Sequence, residues 1–283
     1  HTTVMVGEDQ PEEAVQVESL RAGMDKLVED LNICSQKGLA ERFDATIGSG
    51  TVCMPFGGKY QMTPSQVMAA KVPVLDGETD TASLMAYGYD PELSSLSPYK
   101  GAMAAVIEAM SKLVAAGIDP KHAWLSFQEY FGRTGDNPEK WGKPFAALLG
   151  ALKAQAELEV AAIGGKDSMS GTFEDIDVPP TLIAFAVSTA KASHIITNEW
   201  KSKEHYIYAV MPEYDENGIV DFTSVRAVFD RVYSLIGSGC VKSACALEHG
   251  GTVEALLKCS LGNHIGFALE EDVNINQLFK KCY

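Results

Sequence analysis

The sequence predicts a mixed α/β fold, and three observations carry this prediction. Apolar residues make up 46% and charged residues 22% of the 283 residues, a composition typical of a globular chain with a core. Stretches with helical periodicity alternate with short β-rich runs, the pattern of strands covered by helices. The longest apolar runs, Leu182–Val187 and Val160–Ile163, are far shorter than the ~20 residues of a membrane span.

Net charge and cysteine spacing narrow the function classes. The formal net charge is −15, which argues against a nucleic-acid or anionic-membrane partner, because phosphate binding needs clustered cations. The six cysteines form no C-x-x-C pair, so we interpret them as reduced thiols. Together with the absence of a signal-peptide pattern, this predicts a cytoplasmic protein.

The periodicity predicts three regions. Residues 1–40 form a linker with one short amphipathic helix around Met24 and Leu27, and residues 41–190 form an α/β domain. In that domain we predict, in order, a hairpin over Phe43–Phe56 turning at Gly48–Gly50, a short helix Ser65–Lys71 and a helix Gly101–Ala116. A strand His122–Phe131, a helix Phe145–Leu158 and the strands Glu159–Ile163 and Thr181–Ser188 follow. The apolar face predicted for the helix Phe145–Leu158 consists of Phe145, Leu148, Leu149 and Leu152.

Residues 191–283 repeat the alternation and predict a second α/β domain that ends without a closing strand, as a truncated domain would. The expected strands are Tyr206–Met211, Val241–Leu247 and Ile265–Leu269, and the expected helices are Thr223–Ile236, Thr252–Cys259 and Ile275–Lys281.

The run Gly164–Gly171 (GGKDSMSG) is the strongest chemical signal. After a strand, such a loop can offer backbone N–H groups to a phosphate, a lysine to neutralise charge and an aspartate for a cation or a ribose hydroxyl. It does not match the spacing of a P-loop. A tight turn with a surface lysine and aspartate explains the same residues equally well.

Two further patterns are weaker. Asp76 lies in an acidic loop and Glu108 in the long helix, and converging carboxylates can hold Mg²⁺, yet Glu108 four residues before Lys112 is also the spacing of a simple helix ion pair. His249, before the glycine pair Gly250–Gly251, lies where a strand meets a helix, and the structural interpretation of this histidine is the stronger one.

At GKDSMS the sequence resembles the phosphoribosylformylglycinamidine synthase family of purine biosynthesis. The resemblance spans roughly residues 40–280 and implies the second of two tandem halves, each similar to aminoimidazole ribonucleotide synthetase: its N-terminal domain plus the start of its C-terminal α/β domain. Further matching segments follow in the same order, namely PVLD at Pro73–Asp76, TASL at Thr81–Leu84, Ala105–Ala116, Leu125–Ser126 and Gly250–Gly251.

The resemblance implies an ATP-dependent, glutamine-hydrolysing ligase that converts formylglycinamide ribonucleotide to the amidine. The glutaminase domain and the principal ATP site of that family fall outside this chain. We therefore assign no catalytic residue here, and we expect the chain alone to be inactive and to work with the remaining domains of the parent enzyme.

The resemblance also implies an auxiliary ATP/ADP and Mg²⁺ site. It assigns nucleotide contacts to Leu75, Lys166 (a phosphate), Asp167 (loop structure or a metal), Ser168 and Ser170, and metal contacts to Asp76 and Glu108. Two further metal positions of the family fall on Lys112 and Ala246 in this sequence. The lysine ammonium could replace the metal, which would turn the site into an ion-pair cluster.

Two alternatives stay open. The chain could be a purely structural half without nucleotide binding, or another ATP-using member of the same superfamily, such as a selenophosphate synthetase or a thiamine-monophosphate kinase. Because the family builds its cleft from two similar halves, we also predict a homodimer through residues 43–56 and 122–131, which sedimentation would test.

Overall fold

The computed structural model describes residues 3–7, 16–216, 218–270 and 273–281. The described α-helices are α1 (Leu20–Glu29), α2 (Lys37–Ala40), α3 (Pro91–Leu96), α4 (Pro98–Ala115), α5 (Pro138–Leu158), α6 (Phe222–Gly237), α7 (Gly251–Leu261) and α8 (Ile275–Leu278). The described strands are β1 (Thr51–Cys53), β2 (Phe56–Gly57), β3 (Thr63–Pro64), β4 (Met68–Lys71), β5 (Thr81–Gly88), β6 (Trp124–Tyr130), β7 (Ala162–Lys166), β8 (Thr172–Phe173), β9 (Ile176–Asp177) and β10 (Thr181–Lys191).

A six-stranded mixed sheet forms the centre, in the order β1-β4-β5-β10-β6-β7. Its neighbours pair antiparallel except β6 and β7, which are parallel and joined by helix α5. This is a βαβ crossover, the connection that parallel strands require. The predicted mixed α/β fold is confirmed.

Helix α4 lies against the sheet and forms most of the core. Its buried side is rich in alanine, and Met110, Leu113 and Val114 pack beside the fully buried Leu84 and Leu125 of the sheet. Helix α5 packs on α4 through glycine and alanine, which lets the two backbones approach closely.

The other sheet face is open and apolar. Met85, Tyr87, Trp124 and Tyr130 are each between 37% and 56% exposed on that face. Such a face can pair with a similar sheet, and the homodimer stays a prediction.

Two predictions in the first part of the sheet are wrong. Residues 43–56 do not form a hairpin: a 3₁₀ turn occupies Ile47–Ser49, and β1 pairs with β4. The segment Ser65–Lys71 is not a helix, because Met68–Lys71 pairs with β5 and gains ladder hydrogen bonds. In both places long-range pairing overrides the local signal.

The apolar face predicted for α5 is also wrong. Phe145, Leu148, Leu149 and Leu152 are between 40% and 60% exposed, whereas the opposite side of the helix is buried. The small residues lie against α4 because a Cβ on Gly150 would stand 2.1 Å from the carbonyl oxygen of Tyr99. Because α4 and α5 approach each other closely, only the glycine and alanine side of α5 fits at their contact.

In the C-terminal region the helices are confirmed and the strands are not. α6 and α7 match their predictions within a few residues, and α8 is shorter than predicted. The predicted strands over residues 206–211, 241–247 and 265–269 run without ladder partners in the described parts of the chain. An extended segment becomes a strand only when a neighbour satisfies its backbone groups. The predicted boundary near residue 190 stays a prediction.

Within the described ranges, no helix combines the length and the apolar character that crossing a bilayer requires.

Candidate functional site

The glycine-rich segment begins as a strand. Gly164, Gly165 and Lys166 belong to β7, so the predicted strand Glu159–Ile163 starts and ends about three residues later than expected. Glycine is needed at 165 because a Cβ there would lie 2.5 Å from the carbonyl oxygen of Phe127 on the paired strand. The loop proper therefore starts at Asp167.

The loop after β7 is fixed to the end of β6. The Phe131 N–H donates to the Ser168 carbonyl at 2.9 Å, and the Gly171 N–H donates to the Phe131 carbonyl at 2.9 Å. The Ser168 and Ser170 hydroxyls hydrogen-bond each other at 2.8 Å. The loop thus holds its oxygens in place at the carboxyl edge of two parallel strands, the edge at which α/β sheets bind ligands.

Lys166 lies on the open side of the sheet. Its ammonium stands 5.6 Å from the ring centroid of Tyr130, and the residue is exposed. An exposed ammonium at this edge is available to an incoming phosphate as a point charge.

A second polar site lies in the core at helix α4. The Lys112 ammonium is 2.6 Å from Glu108 Oε1 and 2.7 Å from Glu248 Oε1, and it donates to the Tyr87 carbonyl at 2.9 Å. The Lys112 side chain is 2% exposed, whereas its partners are partly buried, with Glu108 13% and Glu248 24% exposed. Lys112, Glu108 and Glu248, hereafter the buried ion triad, therefore replace the solvation of each other's charges.

Gln66 holds the third member of the triad in place. Its amide nitrogen donates to Glu248 Oε2 at 3.1 Å and to the Ala246 carbonyl at 2.9 Å, and its amide oxygen accepts from the Ala246 N–H at 2.8 Å. Sequence reasoning placed Ala246 at this position and missed Glu248. An acidic residue two positions beyond Ala246 was the signal that could have found it.

Charges and burial act against each other in the triad. Burial lowers the pKa of Lys112, but Glu248 and Glu108 outweigh it and raise this pKa well above its ordinary value. Burial raises the pKa of Glu108 to about 7, with Lys112 opposing the shift. Burial also acts to raise the pKa of Glu248, yet Lys112 and Lys258 lower it overall. Glu108 is thus the carboxyl that protonates first.

Leu75 and Asp76 lie elsewhere. Both are exposed in the loop between β4 and β5, and Leu75 is fully exposed. The described contacts of Glu108 are to Lys112 and to the Tyr89 N–H, at 3.1 Å, and not to Asp76. The structure brings Glu108 together with Lys112 and Glu248 instead.

His249 has a structural partner. Its Nδ1 is 2.9 Å from Asp90 Oδ2, and that hydrogen bond raises the pKa of the imidazole. Asp90 also caps helix α3 by accepting from the Leu93 N–H. The N-terminus of α7 is occupied by its own chain, because Glu254 accepts from the Gly250 N–H.

Metal-binding side chains are sparse. Among the residues that the structure describes, no group of three or more His, Cys, Asp or Glu side chains is arranged to hold a metal ion.

No protein-family profile matches the chain. It is 25% identical over 298 aligned residues to the phosphoribosylformylglycinamidine synthase subunit PurL of Methanocaldococcus jannaschii, an alignment covering 96% of this chain and 38% of that protein. It is also 25% identical over 275 residues to the same subunit of Picrophilus torridus, covering 88% of this chain and 35% of that protein. The chain resembles part of PurL.

Solved PurL structures share the fold. Thermotoga maritima PurL complexed with AMPPCP superposes with a TM-score of 0.57 and 16% identity, covering 90% of this chain and 38% of that chain. The ATP complex of the same protein gives a TM-score of 0.55 and covers 83% of this chain and 34% of that chain. The chain therefore spans little more than a third of the PurL proteins that it matches.

The buried ion triad of this PurL-like chain makes stability depend on pH. The folded-state pKa of Glu108 is about 7 against an ordinary value of 4.5, so its protonated form stabilises the fold below about pH 4.5, and this contribution is lost as the pH rises through about 7. We expect Glu108→Gln to flatten the decline in the free energy of unfolding between these values. Urea unfolding at several pH values checks this, with the exposed Glu41→Gln as control; an unchanged slope in Glu108→Gln would contradict it.

Proposed function

We propose that this chain is part of a PurL-type synthase that converts formylglycinamide ribonucleotide, glutamine and ATP to the amidine. The observation that carries the proposal is the GKDSMS loop, fixed by two backbone hydrogen bonds at the carboxyl edge of β6 and β7. The similarity to PurL over most of the chain supports it.

The loop is the proposed contact to nucleotide. Lys166 neutralises a phosphate of ATP or ADP, while Ser168 and Ser170 offer hydroxyls to its oxygens. Asp167, exposed at the rim, remains available to a cation. Leu75 and Asp76 lie in the exposed loop between β4 and β5, no described contact joins them to Lys166, Ser168 or Ser170, and this proposal gives them no contact with the nucleotide.

Mg²⁺ does not fit at Glu108. Its Oε1 already accepts from the Lys112 ammonium at 2.6 Å, and the same ammonium neutralises Glu248. A dication would have to enter beside a buried cation, which Coulomb repulsion opposes. We therefore propose that the auxiliary metal site near Glu108 has become an ion-pair cluster with a structural role.

We do not propose that this chain catalyses the synthase reaction on its own. It carries no assigned catalytic residue, and its partners in the proposal are the remaining domains of a cytoplasmic parent enzyme, including a glutaminase. A structure of PurLQS from Thermotoga maritima, among the structures similar to this chain, supports partner subunits of this kind.

Calorimetric titration with ADP and ATP, with and without Mg²⁺, tests the nucleotide site. We expect Lys166→Ala to weaken binding about tenfold, the loss of one charge-assisted phosphate contact. Lys203→Ala, a change at an exposed lysine, serves as control. No binding by folded wild-type chain would favour the structural half instead.

The same titration tests the ion-pair cluster. We expect Asp76→Asn to leave binding unchanged. A loss of Mg²⁺-dependent binding in this variant would show that Asp76 retains a metal contact and would overturn the replacement of the metal by Lys112.

A further inference from the structure

Helices α1 and α8 pack together on α7 and form a small unit beside the main core. A Cβ on Gly23 of α1 would stand 2.4 Å from the ring of Phe279 at the end of α8, so the two segments are in close contact. Their apolar cluster with α7 consists of Leu27, Ile33, Val253 and Phe279. Residues 17–34 and 274–281 are hereafter called the α1–α8 module, and the rest of the described chain is called the body.

The described ion pairs between the module and the body meet at His249. Its Nδ1 is 2.9 Å from Asp90 Oδ2 in the body, and its Nε2 is 3.7 Å from Oδ2 of Asp30, the residue that ends α1. The same Nε2 is 3.5 Å from Glu92 Oε2, and Glu92 also pairs with Lys281, which follows α8. Protonated His249 and Lys281 thus bridge carboxylates of the module and of the body.

The imidazole is placed to carry a charge. Both ring nitrogens of His249 face carboxylate oxygens, so each needs a proton to interact favourably, and the side chain is 14% exposed. The hydrogen bond to Asp90 raises the pKa of the imidazole; burial opposes this shift and the Asp30 charge adds to it. Loss of the proton leaves Asp30 and Glu92, both within 3.7 Å of Nε2, without a cation between them, and like charges repel.

The neighbouring acids along the chain face other cations. Glu248 faces Lys112 in the buried ion triad. Glu254 of α7 pairs with Lys258. The charged groups that face the imidazole are therefore, element by element, Asp90 and Glu92 at the start of α3, Asp30 after α1 and Lys281 after α8.

We propose that His249 is a pH-sensitive latch, which holds the α1–α8 module on the body when it is protonated and loosens the module when it loses its proton. Because the folded-state pKa of His249 lies above its ordinary value of 6.5, the stabilisation is fully present below about pH 6.5 and is lost as the pH rises through the folded-state pKa. The apolar cluster and the body stay in place, so the expected change is a local opening. The latch uses no nucleotide contact, so it and the proposed function can fail independently.

Hydrogen exchange of the full chain, measured by mass spectrometry from about pH 6 to about pH 9 and corrected for intrinsic rates, tests the latch. In wild type we expect the protection of the α1 amides to fall about tenfold over this range, the loss of one charge-assisted hydrogen bond. His249→Gln, which is neutral at every pH, should show the lower protection throughout. His122→Gln, at an exposed histidine that also pairs with an aspartate, Asp119, should behave as wild type does.

Two measurements separate this local opening from the pH dependence of the buried ion triad. Glu108→Gln should keep the fall in α1 protection, because Glu108 lies in the body and pairs with Lys112. NMR titration of the His249 imidazole needs no change at His249 itself, and Asp30→Asn should lower its pKa, because the coupling between charge and module is reciprocal. Constant α1 protection in wild type, a pH dependence that survives in His249→Gln, or equal imidazole pKa values in wild type and Asp30→Asn would overturn the proposal.

Discussion

Replacing Lys112 with methionine is expected to lower the free energy of unfolding by up to about 3 kcal/mol, because Glu108 and Glu248, whose side chains are 13% and 24% exposed, are then left without their cation. Lys112 is 2% exposed and contacts both Glu108 and Glu248. Methionine fills a similar volume, so the loss reports the charge and not a cavity. Urea unfolding at pH 8, where wild-type carboxyls are largely ionised, measures it.

Two further variants separate the effect of the lost charge from the effect of changed packing. Adding Glu108→Gln and Glu248→Gln to Lys112→Met should restore much of the stability, because no buried charge is then left unpaired. Lys37→Met removes an exposed pair with Glu41 at the same helical spacing and should cost at most about 1 kcal/mol. A Lys112→Met protein as stable as Lys37→Met would show that the triad carries no such energy.

Replacing Gly88 with alanine is expected to destabilise the fold by at least about 3 kcal/mol, since overpacking here meets backbone. A Cβ at this end of β5 would stand 2.1 Å from the Ala105 carbonyl oxygen and 2.8 Å from the Ala109 nitrogen, both in helix α4. The helix would have to move off the sheet. Thermal and urea unfolding would show a lower midpoint, and the bond from the Tyr89 N–H to Glu108 would be disturbed as well.

Gly38→Ala is the matched control. A Cβ at Gly38, in helix α2, meets nothing within 4 Å, so this change should be neutral or stabilise the chain by up to about 1 kcal/mol through helix propensity. Equal stability of Gly88→Ala and Gly38→Ala would mean that α4 can shift away from β5 without cost.

Much of the helical structure could be predicted, and the reason is local. The spacing of apolar residues in 101–116, 223–236 and 252–259 is a property of neighbouring residues, and the structure has α4, α6 and α7 there. The glycine-rich loop that contains Lys166 and Asp167 could also be recognised in the sequence, because glycines and charged and hydroxyl residues lie together within one short run.

The strands, and the buried face of helix α5, were predicted less well. The segment at Met68–Lys71 became a strand because β5 was beside it, and the leucines of α5 stayed exposed because α4 accepts only small residues at close range. Neither partner can be identified from the segment itself, since pairing depends on contacts between distant residues.

The sequence by itself determined that this is a mixed α/β chain with a glycine-rich loop after a strand and that a lysine stands four residues after Glu108. Only the tertiary structure decided what that lysine does, because it brought Glu248 from a distant part of the chain against Lys112 and left Asp76 exposed. The free energy of a buried charge depends on the groups that replace its hydrating water, and the packing of the chain decides which groups these are.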